Sequence, residues 1–94
     1  MYTADELETA SRIVYAAMPP TPQYAWPLLR EEAGCEVWVK HENHTPTGAF
    51  KVRGGLVFMD RLKRENPGVP GVVSATRGNH GQSLAYAGAV TAFR

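Results

Sequence analysis

The spacing of apolar residues changes along the chain, and near the N-terminus it is the spacing of an α-helix. Apolar side chains recur on one face before Pro19 and Pro20 stop the pattern, so we predict an amphipathic helix over residues 4–18. Thr3 followed by Glu6 forms a capping box that marks its start. The predicted buried face consists of Leu7, Ala10, Val14 and Ala17.

The residue pattern in the middle of the chain predicts an extended segment, then a strand and then a second helix. Residues 19–27 hold four of the seven prolines, which favours an extended connection. Residues 36–40, "EVWVK", alternate and are rich in β-branched and aromatic side chains, which predicts a strand. Helical spacing returns over residues 50–65, where Gly54 and Gly55 indicate close approach of another backbone or a ligand.

The last third of the chain predicts a loop over residues 66–71, a short buried strand over residues 72–75, and a helix from about Asn79. The order helix, strand, helix, strand, helix predicts an α/β fold. Two strands leave most of a sheet uncovered, so we expect an incomplete sheet.

Composition narrows the possible partners and the compartment. A formal charge of +1 without a basic cluster argues against nucleic acid, and no apolar run is long enough to cross a membrane. The acidic N-terminus does not resemble a signal peptide, and Cys35 is the only cysteine, so we expect a cytoplasmic protein. Cys35 is predicted to be a small buried hydrophobe.

Two glycine-containing loops precede predicted helices, at residues 48–51 and 76–80. Such helix starts gather ligands because unpaired amides point outward. Lys51 stands at the first turn of its helix, where the helix dipole and nearby Arg53 disfavour an ammonium group, which makes it a candidate nucleophilic amine. The alternative is an ordinary lysine that extends into water.

Other motifs carry less weight. His41, Glu42 and His44 lack the spacing of a helical zinc site, so we expect surface histidines and no metal. "TRGNHGQS" lacks the lysine and spacing of a phosphate-binding P-loop. The larger aromatic residues are predicted to lie in the core or an interface, namely Trp26, Trp38 and Tyr86.

The two loops together resemble a known family. "KHENHTPTGAFKVRGG", followed about two dozen residues later by "VVSATRGNHGQSLAYAG", resembles the serine/threonine dehydratase branch of the fold-type II pyridoxal-phosphate enzymes. The likeness covers about residues 21–88 and implies a tryptophan synthase β-like α/β fold. It implies that residues 1–68 begin the large cofactor domain and that residues 69–94 begin the small substrate-binding domain.

The resemblance also implies roles for individual residues. Lys51 would carry pyridoxal 5'-phosphate covalently, with Phe50 against the pyridine ring and Arg53 supporting the helix. Asn79 would donate a hydrogen bond to the phenolic oxygen of the cofactor. The substrate carboxylate would be held by the second loop, at Thr76, Gly78, Asn79 and His80.

The implied activity is a threonine or serine dehydratase, an ammonia-lyase of amino acid metabolism that makes a 2-oxo acid by β-elimination. Its partner would be a small-molecule substrate, an amino acid, and full-length relatives are expected to be homo-oligomers. Arg77 stands where serine racemases have an acid/base serine, which argues against racemisation.

Members of the family are several times longer than this chain, so we expect an N-terminal fragment that is inactive alone. The alternatives are a non-catalytic truncated product, a related racemase, a dehydratase of 3-hydroxyaspartate, or a small anion-binding module.

Overall fold

The computed structural model describes residues 1–92, which form four α-helices, one short 3₁₀ helix and two strands. In chain order the elements are α1 (Ala4–Ala17), β1 (Gln23–Ala25), α2 (Pro27–Ala33), β2 (Trp38–Lys40), the 3₁₀ helix (Glu42–His44), α3 (Lys51–Glu65) and α4 (Asn79–Val90). The predicted region 69–94 therefore extends two residues beyond the described part.

Helix α1 confirms the first predicted helix and its capping box. The Glu6 amide donates to Thr3 Oγ1 at 3.2 Å, and the Thr3 amide donates to the Glu6 carboxylate at 2.8 Å. Val14 is buried as predicted, but Leu7 is 69% exposed. The buried face begins later than the apolar pattern because the core contacts α1 only from its middle turns onward.

The core lies where α1, α3 and α4 meet. It consists of Val14 and Met18 from the α1 region, Val52, Leu56 and Met59 from α3, and Ala87 from α4. Helix α3 crosses α4 closely at Gly55, where an added Cβ would lie 3.1 Å from the carbonyl oxygen of Ser83. The predicted close approach is thus confirmed at Gly55, whereas an added Cβ at Gly54 would meet no described atom within 4 Å.

The two strands form an antiparallel pair in which Gln23 faces Lys40 and Ala25 faces Trp38. The predicted strand over residues 36–40 is confirmed in shortened form, and its partner lies within the segment predicted to be merely extended. Helix α2 was not predicted, although its signals are present: Pro27 starts it, and Gly34 ends it with a left-handed φ of 68°.

The predicted strand over residues 72–75 is wrong, because this segment has no regular structure. Val73 is 103% exposed, and no residue of the described range 1–92 pairs with the segment. A strand of this kind needs neighbours on its edges and faces, which an open pair of strands does not provide. The radius of gyration, 16.1 Å, exceeds the roughly 12 Å typical of a compact domain of this length. The fold is α/β with an incomplete sheet.

Three other predictions concern single side chains. Cys35 is exposed, so its predicted burial is wrong; it follows the end of α2 on an uncovered loop. Trp26 and Trp38 lie outside the core because no described layer covers the strand pair, whereas Tyr86 packs on the core and donates to the Ala17 carbonyl at 3.2 Å. Within residues 1–92, no helix combines the length and apolar character needed to cross a bilayer.

Candidate active site

A cleft of about 770 Å³ separates the first turns of α3 from the start of α4. Its walls include Phe50, Lys51 and His80, and residues 72–74 form part of one side. Its volume falls within the roughly 300–1,000 Å³ of small-molecule sites. The cleft therefore joins the two loops that the sequence singled out.

Lys51 is the first residue of α3, and its side chain is exposed at this cleft. Its backbone carbonyl accepts a hydrogen bond from Ser83 Oγ at 2.7 Å. Ser83 is fully buried in α4, beside Gly55. The helix that follows the second loop is thus bonded directly to the lysine residue of the first.

The loop before Lys51 is closed by the buried side chain of Thr45. The Ala49 amide donates to Thr45 Oγ1 at 2.9 Å, and the Thr45 hydroxyl donates to the Ala49 carbonyl at 2.8 Å. Gly48 has a φ of 68°, a conformation that favours glycine, and its amide donates to the Thr45 carbonyl at 3.0 Å. These bonds fix the approach of the chain to α3.

Arg53 makes a two-pronged ion pair with Glu42, which lies in the 3₁₀ helix. Its Nε donates to Glu42 Oε2 at 2.7 Å, and its Nη2 donates to Glu42 Oε1 at 3.0 Å. The Thr21 hydroxyl also donates to Oε1, at 2.6 Å. Arg53 was predicted to add positive charge beside Lys51, but its guanidinium is instead paired with this carboxylate.

The ion pair holds both partners in their charged forms. The hydrogen bonds from Arg53 lower the pKa of Glu42 below its ordinary value of 4.5, although burial opposes them, and the bond from Thr21 acts in the same direction as Arg53. The pairing raises the pKa of Arg53 for the same reason. The network stays charged at neutral pH.

The second loop is organised by Thr76. Its Oγ1 accepts hydrogen bonds from the amides of Gly78 at 3.1 Å and Gly81 at 3.0 Å. Gly78 has a φ of 142°, which favours glycine, and helix α4 begins at the next residue. Among the described residues, none accepts a hydrogen bond from the backbone amide of Asn79 or His80. These two amides are available to an anion.

The structure brings only some of the predicted residues to the cleft. Phe50, Lys51 and His80 line it. Thr76, Gly78 and Asn79 lie at the adjoining turn and are not part of its lining.

Two residues that hold the predicted site in place are not indicated by the sequence. Glu42 pairs with Arg53, and Ser83 donates to the Lys51 carbonyl. The sequence pattern suggests Glu42 only as a metal ligand, and no local spacing links it to Arg53. The adjacent glycines at 54 and 55 did signal a close partner, but not that it would be Ser83.

The residues considered as metal ligands, His41, Glu42 and His44, lie among other contacts. Trp26 Nε1 donates to His41 Nε2 at 3.0 Å, and both Glu42 oxygens are bonded to Arg53. Residues 1–92 contain no group of three or more His, Cys, Asp or Glu side chains placed to hold a metal ion.

The cleft thus presents a lysine amine beside the start of a second helix, and a lysine amine is the group that binds an aldehyde cofactor covalently. Residues 14–93 match the family described as "Pyridoxal-phosphate dependent enzyme", and the chain belongs to this family. Pyridoxal phosphate is the family's cofactor.

Similar curated proteins are dehydratases and a racemase. The biosynthetic L-threonine dehydratase of Corynebacterium glutamicum is 35% identical over 83 residues, which cover 88% of this chain and 19% of that protein. The serine racemase of Dictyostelium discoideum is 35% identical over 88 residues, 94% of this chain and 27% of the relative. The L-threonine ammonia-lyase of Geobacter sulfurreducens is 45% identical over 56 residues, which cover 60% of this chain and 14% of that protein. The chain thus spans about a fifth of the length of such relatives.

The residues at the cleft fit this cofactor chemically. Lys51 offers an amine for the aldehyde, and exposed Phe50 offers an aromatic face for a ring. Gly54, also in the cleft wall, leaves open space where a side chain would stand. The cleft therefore offers an amine, an aromatic face and open space for part of the family's cofactor.

Proposed function

We propose that this chain supplies the lysine-bearing part of a pyridoxal-phosphate-dependent ammonia-lyase, a serine or threonine dehydratase. The observation that carries the proposal is the cleft shared by Lys51, Phe50 and His80, with the Ser83–Lys51 hydrogen bond joining its two sides. The threonine dehydratases and ammonia-lyases among the relatives support the reaction class.

In this proposal each residue has a defined task. Lys51 would hold the cofactor, exchange it for the amino group of the substrate, and as a free amine take the α-proton of the amino acid. Phe50 packs against the cofactor ring, and the Asn79 side chain donates to its phenolic oxygen. Thr76, Gly78, Asn79 and His80 form the turn that receives the substrate carboxylate, where the amides of Asn79 and His80 have no acceptor among the described residues.

The cofactor, when bound, supplies an electron sink for the electron pair that the departing α-proton leaves behind. Lys51 receives that proton, and loss of the β-hydroxyl followed by hydrolysis gives a 2-oxo acid and ammonia. Arg77, unlike a serine, is a poor proton acceptor on the opposite face. We therefore favour elimination over racemisation, with serine, threonine or 3-hydroxyaspartate as the candidate substrates.

We further propose the domain assignment implied by the resemblance, with residues 1–68 in the cofactor domain and residues 69–94 beginning the substrate domain. A second candidate function is a chain that keeps these residues but does not turn over substrate by itself. The exposure of residues 72–75 favours this candidate, because the wall facing Lys51 lacks strand partners among residues 1–92.

Spectroscopy and an assay for the product separate these candidates. We would mix the purified chain with pyridoxal phosphate, record the visible absorbance, and then assay 2-oxo acid from L-threonine, L-serine and 3-hydroxyaspartate. A new band that Lys51→Ala abolishes, with product, supports the lyase; the band without product supports the inactive chain. Lys63→Ala, in the last turn of α3, is the matched control, and a band that survives Lys51→Ala would overturn the assignment of Lys51.

A further inference from the structure

We propose that Glu42 is a positioning residue for Lys51, acting through Arg53 to fix the first turn of α3. This inference deepens the proposed function and rests on it. Glu42 makes its bonds with Arg53, two residues beyond the lysine, and its carboxylate belongs to a different segment of the chain.

The pair differs from the other ion pairs of the described residues. Arg53 and Glu42 are each only 24% exposed and join the 3₁₀ helix to α3. The other three pairs link residues four apart within one helix, and each has an arginine more than half exposed. Exposed pairs of that kind contribute little, whereas a shielded, two-pronged arginine–carboxylate pair fixes geometry as well as charge.

Other contacts make this pair the centre of a network. Arg53 Nη2 donates to Thr21 Oγ1 at 3.3 Å, and Arg53 Nη1 donates to the Tyr15 hydroxyl at 3.4 Å. The guanidinium carbon also lies 5.5 Å from the centre of the Tyr15 ring. Lys40 Nζ donates to the Thr21 carbonyl at 3.4 Å. The start of α3 is thereby tied to α1 and to the extended segment before β1, and Lys40 of β2 is bonded to that same segment.

The start of α3 lacks a side-chain cap, so its first turn is held by this network together with the Ser83–Lys51 hydrogen bond. Phe50 occupies the cap position with helical backbone angles and makes no capping hydrogen bond, whereas α1 begins with a complete capping box. Uncapped helix ends leave amides unsatisfied, and helix ends fray. Because Lys51 is the first residue of α3, fraying there would displace its amine first. A displacement of about 1 Å at a reacting group can cost up to roughly a hundredfold in rate.

The test compares three variants of the chain. Glu42→Gln keeps the size of the side chain and an acceptor for Thr21 but removes the charge. Glu42→Asp keeps the charge at shorter reach. Glu65→Gln is the matched control, since it breaks an exposed pair at the far end of α3. All are compared at a temperature where circular dichroism shows each to be folded.

Two readouts are needed, one of which uses no cofactor. Hydrogen exchange of the amides of residues 51–55 reports the order of the first turn. The rate at which pyridoxal phosphate becomes fixed on Lys51, by timed mixing and borohydride reduction, reports the placement of the amine. We expect faster exchange and about tenfold slower fixation in Glu42→Gln, parent-like values in Glu65→Gln, and partial recovery in Glu42→Asp.

Parent-like exchange in Glu42→Gln would overturn the inference, as would faster exchange with parent-like fixation, which would reduce Glu42 to a structural role. If the parent chain itself fixes no pyridoxal phosphate, the proposed function of the chain fails. Exchange still decides the anchoring of α3 in that case: acceleration confined to Glu42→Gln supports it, and an unchanged rate refutes it.

Discussion

The two loops that flank the cleft are held in different ways. The loop before Lys51 is closed by buried Thr45, continues into buried Val52, and is tied by the Arg53–Glu42 pair. The second loop relies on the Thr76 hydroxyl, and the segment before it is exposed. The described residues thus hold Lys51 in place, while residues 72–75 of the facing wall are exposed and have no strand partner among residues 1–92.

The largest effect on stability is expected where α3 crosses α4 at Gly55. Gly55→Ala would push a methyl group against Ser83 and should lower the free energy of unfolding by about 2 kcal/mol. Gly54→Ala is the matched control; it meets no described atom and should raise stability by about 0.5–1 kcal/mol, through helix propensity. Urea denaturation measures both, and equal effects would contradict the close crossing.

The ion pair predicts a pH dependence specific to the lysine side. Because folding lowers the pKa of Glu42, its contribution is complete above the unfolded value of 4.5 and is lost as pH falls through the lower folded value. Arg53, its ion-pair partner, remains charged throughout this range because the pairing raises its pKa. Removal of the charge by Glu42→Gln should cost about 1–2 kcal/mol at pH 7.

Urea denaturation between pH 3 and pH 7 on parent and variant isolates this contribution from that of Glu6, whose pKa is also lowered. The stability difference should shrink toward the acidic end. A constant difference would show that the pair does not respond to pH as the geometry requires.

The second loop should respond to loss of its one organising hydroxyl. Thr76→Ala removes the acceptor of the Gly78 and Gly81 amides and should destabilise α4 by about 1 kcal/mol, with faster hydrogen exchange at its first turn. Thr76→Ser keeps the acceptor and should exchange like the parent. Identical behaviour of the two variants would argue that the loop is held by something other than this hydroxyl.

The smallest effect is expected in the exposed wall. Val73→Thr should change the free energy of unfolding by less than about 0.5 kcal/mol, since the side chain is already in water. Val52→Thr, the matched change in the core, buries a hydroxyl group and should cost about 1–3 kcal/mol. A large effect at Val73 would mean that the wall is packed after all.

Local signals predicted α1 and the close crossing of α3. The capping box at Thr3 and the proline stop defined α1, and paired glycines predicted the close crossing of α3. The sequence of residues 72–75 does not by itself determine whether they form a strand, because strand formation depends on neighbouring strands and packing as well as on local composition. Helix α2 was missed although Pro27 and Gly34 marked its ends.

For the candidate site, pattern resemblance identified the two loops but not what supports them. Lys51 and His80, one from each loop, both line the cleft. Glu42 and Ser83 reach this region only through tertiary folding, across 11 and 32 positions of sequence. Such long-range pairs have no periodic signal, so a single sequence does not reveal them.

The proposed cofactor-bearing residue is Lys51, which is held between Arg53 with Glu42 on one side and Ser83 on the other. The most direct measurement is peptide mapping of the chain after incubation with pyridoxal phosphate and borohydride reduction, with quantification at each of the three lysines. We predict that the label lies predominantly on Lys51. Equal labelling of Lys40, Lys51 and Lys63, or labelling that omits Lys51, would contradict the account.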